Sequence, residues 1–169
     1  MFYETHITVE PHDVSRWQAL SGKLKIKPLL IELSSGDYPL HLMCSAPFSG
    51  SEADFRAYLA SLEEQIRQSG FSIIRVKPET LLDQAGFVKG PIAYYECHIK
   101  LLLPKNAVRH FLLFSQEHGL HPSRNLLYGD DGKVEKWYLT TRLYNGSIAE
   151  ARRRFRKALA ETKRIFPAE

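Results

Sequence analysis

Two segments of this chain repeat each other 92 residues apart, and that repeat limits the folds open to it. Tyr3-Glu4-Thr5-His6-Ile7-Thr8-Val9 reads against Tyr95-Glu96-Cys97-His98-Ile99-Lys100-Leu101. Each segment runs on to a proline, Pro11 or Pro104, and then to a candidate helix cap, Asp13 or Asn106. Farther on, Phe48-Ser49-Gly50-Ser51 matches Tyr144-Asn145-Gly146-Ser147 at an offset of 96. Matches in one order with slowly drifting offsets imply a duplicated unit. The 169 residues then divide into a first repeat at 1–80, a linker at 81–90 and a second repeat at 91–169, forming one compact unit.

Within the first copy, Glu4 to Glu10 alternates and is rich in β-branched residues, which predicts a strand. Val14, Trp17, Leu20 and Leu24 recur at helical spacing. Leu29–Leu33 and Tyr38–Cys44 flank a hairpin signal at Ser34-Ser35-Gly36-Asp37. Ser51 with Asp54 caps a second helix, whose stripe is Phe55, Tyr58, Leu59, Leu62 and Ile66 and whose end is Gly70. Phe71 to Val76 is a further strand.

The second copy repeats this with a strand at Ala93–Leu103 and a helix capped by Asn106. Strands at Leu126–Tyr128 and Val134–Leu143 flank Gly129-Asp130-Asp131-Gly132. A last helix is capped by Ser147 and Glu150 and buries Phe155, Leu159, Thr162 and Phe166. The expectation is an α+β fold of two tandem ferredoxin-like (βαββα) repeats with antiparallel sheets related by a pseudo-two-fold axis.

Composition adds bounds. The 44% hydrophobic and 25% charged residues are ordinary for a globular chain. The start, Met-Phe-Tyr-Glu-Thr-His, lacks a basic segment followed by an apolar one, and no run has the length of a membrane span. A cytoplasmic protein with no membrane association is expected. Residues 1–85 hold 8 Lys+Arg against 11 Asp+Glu, a net of −3, whereas residues 86–169 hold 15 against 8, a net of +7. A basic half attracts phosphate, nucleic acid or an acidic surface. Cys44 and Cys97 are too few for a disulfide framework and read as buried free thiols.

Strand alternation places Glu4, His6 and Thr8 on one face, and Glu96, His98 and Lys100 on the matching face of the second copy. If the lobes pack about a pseudo-two-fold axis, both rows line one cleft. There His6 and His98 are candidates for acid–base work, one giving a proton while the other takes one. Thr8 and Lys100 are candidates to hold phosphate oxygens, and Glu4 and Glu96 to orient their histidines. Arg75 and Arg142, near strand ends, are further phosphate contacts. The same rows also suit a solvated sheet face with cross-strand polar pairing. His121-Pro122-Ser123-Arg124-Asn125 reads as a polar loop entering a strand, and Arg152-Arg153-Arg154 with Arg156, Lys157, Lys163 and Arg164 as the outer face of the last helix.

His6-Ile7-Thr8-Val9 resembles the His-hydrophobic-Thr/Ser-hydrophobic motif of the 2H phosphoesterases, a duplicated α+β family with one motif per lobe. The resemblance covers the two motif strands and the duplication. It implies hydrolysis or ligation at a 2′,3′-cyclic phosphate or a 2′-5′ linkage of RNA or a small nucleotide. It makes His6 and His98 the general acid–base pair and Thr8 a hydrogen-bond donor to phosphate. The second motif, His98-Ile99-Lys100-Leu101, departs from the pattern by carrying lysine where the hydroxyl belongs. The motif strand also opens each lobe here, whereas in the family it follows an earlier strand and helix. Neither cofactor nor metal is implied. A metal reading through His6, His98 and Glu32, as in oxygenase and glyoxalase-like folds, conflicts with the length of the helix at Ser51–Ser69. Two non-catalytic readings stand beside the enzyme: an anion- or RNA-binding module, and an assembly protein whose open sheet face makes a homodimer.

Overall fold

The computed structural model describes residues 1–34, 38–88, 90–127 and 134–167. The chain is α+β, and it divides into two compact units. One holds Met1–Gln84 with the short stretch from Asn125, the other Ala85–Arg124 and the chain after that stretch.

The first unit runs β1 (Phe2–Val9), α1 (Val14–Leu24), β2 (Lys27–Leu33), β3 (Leu40–Ser49), α2 (Glu52–Gln68) and β4 (Ile73–Thr80). Its strands lie in the order β4-β1-β3-β2, antiparallel throughout. Ile7 and Val9 of β1 and Leu42, Cys44 and Ala46 of β3 meet Trp17 of α1 and Leu62 and Ile66 of α2 in one core. Trp17 is fully buried, and its indole N–H donates to the Met43 carbonyl at 2.9 Å, so burial leaves no donor unpaired. Asp13 caps α1 by accepting from the Arg16 amide. Ser51 caps α2, which ends at Gly70 with φ +79°, a backbone setting that favours glycine. A short 3₁₀ helix, Leu82–Phe87, occupies the expected linker.

The second unit runs β5 (Tyr95–Pro104), a 3₁₀ turn (Lys105–Ala107), α3 (Val108–Glu117), β6 (His121–Asn125), β7 (Val134–Leu143) and α4 (Ile148–Ile165). Its strands lie in the order β6-β7-β5, again antiparallel. Ile99 and Leu103 of β5 and Trp137 and Leu139 of β7 pack on Phe111 and Phe114 of α3 and Ala158 of α4. Ser147 and Glu150 form the expected reciprocal cap of α4.

Several local expectations are corrected. His121–Asn125 is a strand and not a loop, while Leu126 and Leu127 lie in a turn and not in a strand. Polar side chains do not prevent pairing: Pro122 faces the core and is buried, and His121 and Ser123 face the other way. Asn106 caps nothing; it sits inside the 3₁₀ turn, and no side-chain cap precedes α3. Leu159 is exposed, because the buried stripe runs through Ala151, Phe155, Ala158 and Thr162, one position out of phase with it. β4 continues through Pro78 to Thr80, and β3 continues to Ser49. The turns expected at Gly129–Gly132 and, apart from Ser34, at Ser34–Asp37 fall outside the described residues, as does Tyr128 of the expected strand Leu126–Tyr128.

Candidate functional site

The pairing registers of the two units coincide position by position. In the first, His6 lies opposite Ser45 of β3, which lies opposite Lys27 of β2. In the second, His98 lies opposite Thr140 of β7, which lies opposite His121 of β6. Residues directly opposite in a ladder share a face. Each unit therefore presents a row of histidine, hydroxyl and a third basic residue on the face away from its helices.

In the first unit β4 adds to this face: Lys77 lies opposite His6, Glu79 opposite Glu4 and Arg75 opposite Thr8. His6 is held between two carboxylates. Its Nε2 lies 3.5 Å from Glu4 Oε1, and its Nδ1 lies 3.4 Å from Glu79 Oε1. Ser45 Oγ donates to Glu4 Oε1, and Lys77 pairs closely with Glu79. Burial alone would drive the imidazolium to release its proton, since the His6 side chain is 16% exposed. The bonds to Glu4 and Glu79 outweigh it and raise the His6 pKa to about 9. The bond from His6 reciprocally lowers the Glu4 pKa to about 2. Burial pulls Glu79 upward, but bonds from His6 and Lys77 leave it below the ordinary carboxylate value. Thr8 is buried beside the exposed Arg75.

In the second unit the carboxylate, imidazole and hydroxyl form a chain. Glu96 Oε2 accepts from Arg142 Nε, Glu96 Oε1 lies 2.9 Å from His98 Nε2, and His98 Nδ1 lies 2.9 Å from Thr140 Oγ1. Glu96 is 8% exposed and Thr140 5%, whereas the His98 side chain is 44% exposed. Burial alone would lower the Arg142 pKa, but the bond to Glu96 raises it further. Arg142 also lies over the Tyr94 ring at 5.6 Å. Lys100 is exposed one step along the same face, opposite Tyr138.

Of the residues expected at a site, Glu4, His6, Thr8 and Arg75 thus share one face of the first unit, and Glu96, His98, Lys100 and Arg142 one face of the second. His6 and His98 belong to different units. Sequence reasoning passed over Ser45 and Glu79, and it named Thr140 and His121 without setting them beside His98. The repeat itself carried a signal for two of them: Ser45 and Thr140 are 95 apart, between the offsets of 92 and 96 found from motifs. Among the described residues, no group of three or more His, Cys, Asp and Glu side chains is placed to hold a metal ion. No helix among them is long and apolar enough to cross a membrane. Neither the protein-family models nor the curated proteins searched match this chain.

Proposed function

We propose that the two units are diverged copies of one ferredoxin-like repeat, and that the chain is a 2H-like phosphodiesterase acting on cyclic phosphate or 2′-5′ linkages of RNA or nucleotides. One observation carries this reading. The same types of group, carboxylate, histidine and cross-strand hydroxyl, recur at matching register in both units: Glu4, His6 and Ser45, then Glu96, His98 and Thr140. The cross-strand Thr140 also supplies a hydroxyl beside His98, where the motif itself carries Lys100. His6 enters any reaction near neutral pH protonated, which suits the general acid. With its Nε2–H directed to Glu96, His98 offers Nδ1 as a proton acceptor, which suits the base. Arg75 and Lys100, exposed on these faces, suit phosphate oxygens.

The test is turnover of 2′,3′-cyclic nucleotides and 2′-5′-linked dinucleotides. His6→Ala and His98→Ala should each lower kcat/KM by roughly 10²–10⁴-fold. A wild-type protein with no turnover of either substrate class would overturn the reading. The basic character of residues 86–169 favours a second reading, a non-catalytic RNA- or anion-binding module. It expects salt-sensitive RNA binding that survives His6→Ala, with no product formed.

A further inference from the structure

We propose that the second unit carries a nucleophilic hydroxyl site of its own, in which Thr140 attacks a small carboxylic ester and His98 moves the proton. The geometry is a chain of three groups at two successive distances of 2.9 Å: Glu96 Oε1 to His98 Nε2, and His98 Nδ1 to Thr140 Oγ1. A carboxylate, an imidazole and a hydroxyl linked in this order can raise a weak alcohol to a nucleophile. Glu96 is buried and is fixed through its second oxygen by Arg142, so it cannot swing away from the ring. That bond selects the His98 tautomer with the proton on Nε2, leaving the Nδ1 lone pair for the Thr140 O–H. Glu96 and Arg142 are positioning residues here, and Thr140 and His98 are the reacting ones. His121, directly opposite Thr140, and Lys100, on the same face, are the basic side chains this face offers to a developing oxyanion.

The step balances without a co-reactant beyond water. Thr140 Oγ1 bonds to the ester carbonyl carbon while its proton passes to His98 Nδ1. The tetrahedral intermediate collapses, the carbon–oxygen bond to the alcohol breaks, and His98 returns the proton to the leaving alkoxide. Water, deprotonated by His98, then releases the acid and restores Thr140. This chemistry needs only the second unit and does not rest on the phosphodiesterase reading.

p-Nitrophenyl acetate is the probe. The wild-type chain should release a burst of nitrophenol of roughly one equivalent. Acid quenching and peptide mapping should place the acetyl group on Thr140, as a hydroxylamine-labile ester and not an amide on Lys100. Thr140→Ser should keep the burst, Thr140→Val should abolish it, and Glu96→Gln should slow it with a shifted pH profile. An intact, folded wild type with no adduct at Thr140, or an adduct that forms at an unchanged rate in His98→Ala, would overturn the proposal.

Discussion

At pH 7 most histidines have lost their proton, and His6 keeps its own. Two carboxylates at 3.4–3.5 Å outweigh the cost of burying the cation. The sign of the pH dependence follows. The His6 pKa is raised from 6.5 to about 9, so its contribution to stability is complete below about 6.5 and is lost as pH rises through about 9. Glu4 is lowered from 4.5 to about 2, so its contribution is complete above about 4.5 and is lost as pH falls through about 2. Both are in place between about pH 4.5 and 6.5. Urea unfolding should lose on the order of 2 kcal/mol between pH 6.5 and 9, and His6→Gln should remove that slope. An NMR titration placing the His6 ring near its ordinary value would contradict this account. The histidines and their local glutamates were legible in the sequence because they sit two residues apart on one strand. Glu79, which completes the His6 clamp, was not: it lies 73 residues away, and only the β1–β4 register brings it there.

Caps and stripes of local origin were largely readable, and elements defined by distant pairing were not. Asp13, Ser51 and Ser147 each announce a helix through a side chain that bonds an amide within its own first turn. β6 carries no such signal; His-Pro-Ser-Arg-Asn has neither alternation of hydrophobicity nor β-branched residues, and it is a strand through its long-range pairing, which includes β7. Asn106 misled for the converse reason, since a favourable capping residue was absorbed into a 3₁₀ turn. The α4 cap offers a direct measurement. Ser147→Ala removes the hydroxyl that accepts from the Glu150 amide and donates to its carboxylate, while the backbone N–H of residue 147 still donates to Glu150, and should cost about 1 kcal/mol in chemical unfolding. Ser147→Thr should restore most of it, and equal stability of the Ala variant would show that the cap contributes nothing.

Across the whole chain, the two units match in strand order and register. β1, β2 and β3 correspond to β5, β6 and β7, and β4 has no counterpart among the described residues of the second unit. The two halves of the chain differ in charge, from −3 in residues 1–85 to +7 in residues 86–169. Each unit also contains one free thiol, and the two differ in depth. Cys44 is fully buried in the first core, where burial pushes its pKa up to about 12, while Cys97 is half-buried, with burial raising its pKa as well. The chain therefore carries a built-in clock, Cys44, and a reference for it, Cys97. Under iodoacetamide, Cys97 should be alkylated first from the folded state, and Cys44 only at the rate at which its own unit opens. Peptide-resolved labelling rates would then time the opening of the first unit at Cys44 against the folded-state reaction at Cys97, in one tube and with no engineered reporter. Equal rates at both sites under native conditions would mean that the difference in depth gives Cys44 no protection.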